Sequence, residues 1–192
     1  MDAKVDEILD FWFDSPQSPE YGKERSFWFT KKPEFDKQLS DYFLSTYEQA
    51  AAGELDSWED SPRSCLALLL LLDQFPRNMF RGTPKSFATD AKAIAIANNA
   101  IAKGFDQYLL PVQRWFMYLP FEHSENIADQ QRCVDLFATL KDDPDSAATI
   151  DYALRHKSVI ERFGRFPHRN KILGRETTPQ EAEFLKQPGS SF

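Results

Sequence analysis

Apolar side chains recur at steps of three and four along most of this chain, and Phe35, Leu39, Tyr42, Phe43 and Tyr47 give the clearest case. That spacing places all five on one stripe of a helix. Pro33 suits its first turn and Gly53 its stop. Ser61-Pro62 predicts the N-cap and first residue of a second helix, which carries the apolar run Cys65 to Leu72 and closes at Asp73 to Pro76. Ala88 to Ala102 is rich in alanine and ends at Gly104, which predicts a helix that packs close to its neighbours. Pro111 to Leu119, Glu125 to Leu140 and Ala147 to Phe163 follow, the last stopped by Gly164. Thr178-Pro179-Gln180-Glu181 combines an N-cap threonine, a proline at the first position and a glutamate three residues in, so a short final helix starts there.

No segment alternates apolar and polar residues long enough to demand a strand, and β-branched residues are sparse. The expected fold is therefore all-α, an array of antiparallel helical hairpins. Residues 1–187 read as one all-helical domain and 188–192 as a flexible C-terminal tail, with Asp14 to Arg25 a second loosely held stretch. Two short echoes occur: Phe11-Trp12-Phe13 returns as Phe27-Trp28-Phe29, and Phe75-Pro76-Arg77-Asn78 returns, with one histidine inserted, as Phe166-Pro167-His168-Arg169-Asn170. These copies are too short to establish a duplication. Helical spacing and acidic neighbours make the tryptophans core anchors rather than platforms for nucleic-acid bases.

Composition narrows the functional classes. With 42% apolar and 28% charged residues the chain must fold. A net charge of −7 and a pI near 5.0 disfavour a nucleic-acid partner. Cys65 and Cys133 make no disulfide framework, which points to a reducing, cytoplasmic location. The acidic start Met1 to Glu7 lacks the basic region of a secretory signal. The run Cys65 to Leu72 is far short of the roughly 20 apolar residues that span a bilayer, so no membrane partner is expected.

Three constellations could carry chemistry. The first, Asp73 to Thr83, sets Asp73, Gln74, Arg77, Asn78 and Arg81 directly after the most apolar helix. The second joins Arg162, Arg165, His168, Arg169 and Asn170 to Arg155, His156 and Lys157 a turn or two earlier. Arg155 to Arg175 holds a local balance of +6 in a chain of net −7, so the remainder carries −13. Guanidinium forks suit carboxylate or phosphate, and an anion site competes with a basic stripe neutralised by Asp2, Asp6, Asp142, Asp143 and Asp145. The third, Pro120 to Glu125, sets His123 among Glu122, Ser124 and Glu125 and could run acid-base chemistry, although helix capping by Ser124 and Glu125 explains both residues as well. His123, His156 and His168 with Glu122 or Glu125 could in principle bind a metal, but no ligand spacing, nucleophile elbow or glycine loop is present. Neither a metal nor another cofactor is expected.

The segments LLLLDQFPRNMFRGTPKSFATDAKA, PFEHSE and RHKSVIERFGRFPHRNKILGR resemble a mainly bacterial family known as domain of unknown function 924, from Ile8 to the capping box at Thr178. The resemblance implies a tetratricopeptide-repeat-like stack of helical hairpins and no particular reaction, and the repeat's own consensus is not readable here. The family positions it matches are Asp73, Gln74, Arg77, Asn78, Arg81, Asp90, His123, Ser124, Glu125, His156, Arg162, Arg165, His168, Arg169 and Asn170. Three functional expectations stand at this stage. In the first, Asp73, Gln74, Arg77, Asn78, Arg81, His156, Arg162, Arg165, Arg169 and Asn170 bind an anionic small molecule or acidic peptide. In the second, a cofactor-free enzyme uses His123, Glu125 and His168 in the same pocket, with His123 or His168 as general acid or base and Glu125 or Asp73 orienting it. In the third, the polar motifs form a buried network that fixes how the helices stack.

Overall fold

The two Phe-Trp-Phe triplets meet in the core. In the computed structural model, which describes residues 2–191, α1 (Ala3–Phe13) carries the first triplet and the turn before α2 (Pro33–Ala52) carries the second. The Trp12 and Trp28 rings stack with centroids 6.2 Å apart, and the Trp28 indole N–H donates to the Trp12 carbonyl at 3.0 Å. Both side chains are buried, so the tryptophans are core anchors as their spacing predicts. The stretch from Asp14 to Arg25 is tied down at its ends, because Asp14 accepts from Ser18 Oγ at 2.9 Å and pairs with Arg25 at 3.1 Å.

Behind this aromatic cluster runs α3 (Pro62–Leu69), capped by Ser61 Oγ, which accepts from the Ser64 N–H at 3.3 Å. The expected stop at Asp73 to Pro76 is not taken. The chain widens into a π turn over Leu70–Gln74, with the Phe75 N–H donating to the Leu70 carbonyl, and then continues as α4 (Phe75–Met79). Pro76 gives the physical reason, since it has no N–H for the Leu72 carbonyl one turn back. That carbonyl accepts from the Thr89 hydroxyl at 2.5 Å instead. A π turn inserts one residue and redirects the side chains after it. Here those residues include Asp73 and Gln74, both buried.

The remaining helices are α5 (Asp90–Ala102), α6 (Pro111–Glu122), α7 (Ile127–Ala138), α8 (Ala147–Phe163) and α9 (Pro179–Leu185). α6 packs on α7 and α7 on α8, while α3 sits against α1, α5 and α6. Gly53, Gly104 and Gly164 follow their helices in the left-handed region as expected, and Thr178 and Glu181 form the capping box. Two boundaries move. α6 runs three residues past the expected Leu119, through Pro120. α7 starts at Ile127 because Asn126, not Ser124, caps it, accepting from the Ala128 N–H at 2.8 Å. Just after α9, Ser190 is buried and donates to the Leu185 carbonyl at 3.1 Å. Among the described residues there is no strand, and no helix is long and apolar enough to cross a membrane.

Thr89→Val removes the donor that satisfies the Leu72 carbonyl and is expected to cost about 1–3 kcal/mol, because a buried acceptor is left unmade. Urea denaturation should show this as a lower midpoint at unchanged slope.

Candidate functional site

The π turn and the end of α6 converge on one buried carboxylate. Asp73 is fully buried, and its two oxygens are held apart: Oδ1 accepts from His123 Nδ1 at 2.7 Å and Oδ2 from Gln74 Nε2 at 2.6 Å. Arg77, one turn on, reaches Asp73 Oδ1 at 3.3 Å and donates to the Asp73 carbonyl at 2.7 Å. Burial by itself raises a carboxyl pKa, but Arg77, His123 and Gln74 together outweigh it and hold Asp73 at about 2. His123 is pushed below its usual value by burial and by Arg77 against the pull of Asp73. It is therefore a neutral imidazole whose Nδ1–H points at Asp73 and whose Nε2 carries the lone pair. Gln130, buried on α7, keeps His123 in place by donating to the Glu122 and Ser124 carbonyls at 2.6 and 2.7 Å.

Arginines surround this pair, and each is matched by an aspartate. Arg77 forms a two-pronged pair with Asp90 at 2.9 and 3.1 Å. Arg81 does the same with Asp36 at 3.0 and 3.1 Å, and Asn78 donates to that aspartate at 2.8 Å. Arg169 is different. Its guanidinium lies close to the rings of Phe87 and Phe166, 4.7 and 4.5 Å from their centroids, and Asp90 stands 3.8 Å away, too far for a hydrogen bond. It is 7% exposed, and its Nε finds no hydrogen-bond partner among the described residues. Burial and the neighbouring Arg77 lower its pKa to about 10, so it remains a cation at neutral pH.

Glu122 is a second incomplete group in the same place. It is buried, its Oε1 lies 3.4 Å from His156 Nδ1, and its Oε2 has no hydrogen-bond partner among the described residues. Burial, with a smaller push from Asp73, raises its pKa to about 8. His156 donates from Nδ1 to the Tyr152 carbonyl at 2.8 Å and is held neutral by burial, with a pKa near 3. His168 is lowered to about 4 by burial and by Arg169.

These groups wall a cavity of about 420 Å³, within the usual range for a small-molecule site. Of the residues expected from sequence, Gln74, Arg77, Asn78, Arg81, His123, His156, His168 and Arg169 line it, and Asp73 stands directly behind His123. The others point elsewhere. Glu125 is spent on structure, accepting from the Phe166 N–H at 2.8 Å and from Arg175 at 2.7 and 3.0 Å, and these partners hold it ionised against the effect of burial. Arg165 pairs with Glu181 at 2.6 and 2.9 Å, Asn170 donates to Glu181 at 3.2 Å, and Arg162 lies over Phe163 and Phe184. Within the basic segment, Lys157, Arg165 and Arg175 are thus paired with Glu161, Glu181 and Glu125. Of the acids expected for that task, Asp2 binds Trp58, Asp6 binds Arg63 and Asp143 binds Ser146. Asp90 and Glu122 were not among the candidate ligands, although Asp90 lies in a quoted motif and Glu122 precedes His123. Of the aromatic residues lining the cavity, Trp28 and Phe29 show in the sequence only as an echo of the first triplet and read as core, and Tyr152 gives no signal because it sits in the ordinary helical pattern of α8.

The model of one family, described as "Bacterial protein of unknown function (DUF924)", matches residues 8–189. The chain belongs to the DUF924 family. This member is also similar to a solved structure titled "Structure of Protein of Unknown Function ATU0120 from Agrobacterium tumefaciens", with 44% identity and a TM-score of 0.86 over 96% of this chain and 97% of that one. A comparison with curated proteins found no match.

The pH behaviour of Glu122 in this DUF924 member can be checked directly. Its folded pKa, about 8, lies above the ordinary value of 4.5. The folded state therefore holds the extra proton between those values, and stability falls as pH rises through that window. Glu122→Gln should flatten this decline in denaturation measured across the range. Difference infrared spectroscopy should show a protonated-carboxyl band at neutral pH that is absent in the variant.

Proposed function

We propose that the protein binds an anionic small molecule in this cavity, with Arg169 holding the charge. The supporting observation is the condition of that guanidinium: buried, close to two aromatic rings, and without an acceptor in hydrogen-bond reach among the described residues. Removing a cation from water without a close partner costs several kcal/mol, whereas a carboxylate or phosphate oxygen would complete it with a charge-assisted hydrogen bond. The enclosed volume suits a small molecule better than an acidic peptide. For the fold, the packing of α6 on α7 and α7 on α8 supports the tetratricopeptide-like stacking that the family resemblance implies.

A second reading is favoured by one contact. A neutral imidazole with a buried carboxylate on Nδ1 and its Nε2 left to a concave site is an arrangement suited to taking a proton from a bound molecule. On this reading Asp73 and His123 are the working pair, not Glu125. If a ligand is turned over, Asp73→Asn should abolish turnover while leaving binding within a few fold.

A thermal-shift screen of monocarboxylates, dicarboxylates and phosphate monoesters tests the binding reading. A ligand at a hundredfold excess over its Kd adds about 2.7 kcal/mol, a shift of several degrees for a chain of this size. Arg169→Met should abolish the shift and leave the unliganded melting temperature unchanged or higher. Silence from every anion, with Arg169→Met melting well below wild type, would make Arg169 part of a structural network.

A further inference from the structure

The cavity is two-sided in its chemistry. Its floor holds two groups with an unbonded polar atom, Arg169 and Glu122, both nine-tenths or more buried. Its lining also includes Phe29 and Tyr152, which are 56% and 46% exposed; of the four exposed aromatic side chains among the described residues, these two line the cavity, and Tyr42 and Tyr108 do not. Trp28 joins them from below, and because its indole N–H is spent on the Trp12 carbonyl it offers the cavity only apolar surface. Exposed rings lining a pocket with a charged floor fit a ligand with one polar end and one apolar end.

Charge matching fixes what the polar end can carry. Arg77 and Arg81 are each neutralised by two-pronged contacts with Asp90 and Asp36, and Asp73 supplies a further negative charge close to Arg77. Across Arg77, Arg81, Arg169, Asp36, Asp73 and Asp90 the signs cancel. Glu122, His123, His156 and His168, which face the same space from α6, α8 and the turn after α8, add no positive charge at neutral pH. A dianion would thus meet a site with one poorly matched cation and no surplus. A monoanion meets Arg169, and a second polar contact is open at Glu122 Oε2.

Resting on the anion-site reading, we propose that the ligand is a monocarboxylate with an aromatic or similarly compact apolar group. Its carboxylate sits at Arg169 and Glu122, and its apolar end lies against Trp28, Phe29 and Tyr152. The volume of about 420 Å³ equals that of about fourteen liquid waters, which sets the ligand at on the order of a dozen non-hydrogen atoms.

Isothermal titration of the full chain with phenylpropionate, phenylpropionamide, acetate and phenyl phosphate tests this. Phenylpropionate should bind at least tenfold tighter than each of the other three. Phe29→Ala, at an exposed position that leaves the core intact, should weaken phenylpropionate roughly three- to tenfold and leave acetate unchanged. If acetate or phenyl phosphate binds as tightly as phenylpropionate and Phe29→Ala has no effect, the apolar subsite is wrong and the anion site stands. If phenylpropionamide binds as tightly as the acid and Arg169→Met does not weaken it, the anion site itself is wrong. If no aryl compound binds, the ligand class is overturned, and the broader anion screen alone decides whether Arg169 holds a charge.

Discussion

A carboxylate with no access to water is the constraint around which this molecule is organised. Asp73 sits at the end of the most apolar segment of the chain, where an uncompensated charge would be prohibitive. It is ionised only because Gln74, Arg77 and His123 arrive from two different helices to hold it. Each of these partners is then fixed in turn, Arg77 by Asp90 and the His123 segment by Gln130. The polar interior is one connected network, and its members are oriented by what they must neutralise.

Within that network most charges are answered in kind. Arg77, Arg81, Arg165 and Arg175 each meet a carboxylate with good two-pronged geometry. Arg169 does not, and neither does Glu122, and both line the same cavity. Natural proteins satisfy nearly all buried polar groups.

The helices were legible because periodicity and punctuation agree: Pro33 and Gly53, Ser61 and Pro62, and Thr178 and Glu181 are local signals with local consequences. Pro76 misled, since a proline usually ends a helix, and the donor that rescues the freed carbonyl is Thr89, thirteen residues further on. Candidate site residues were legible as types but not as assignments. Arg165 and Arg169 look alike in sequence and differ wholly in surroundings, one paired with Glu181 and the other close to two aromatic rings. Glu125 looked like a partner for histidine and instead clasps Arg175, fifty residues away. No spacing rule carries information over such separations.

The cavity takes Trp28 from one end of the sequence, His123 from the middle, and Arg169 and Ser191 from the other end. A ribosome-bound chain therefore holds Trp28, Phe29 and the Asp73 turn long before it holds Arg169. Until Arg169 emerges and the Glu125–Arg175 clasp closes, the early helices carry a buried acid and an open apolar face with nothing to bind. The cavity is thus completed late and all at once, and any opening that frees the last helices would undo it first.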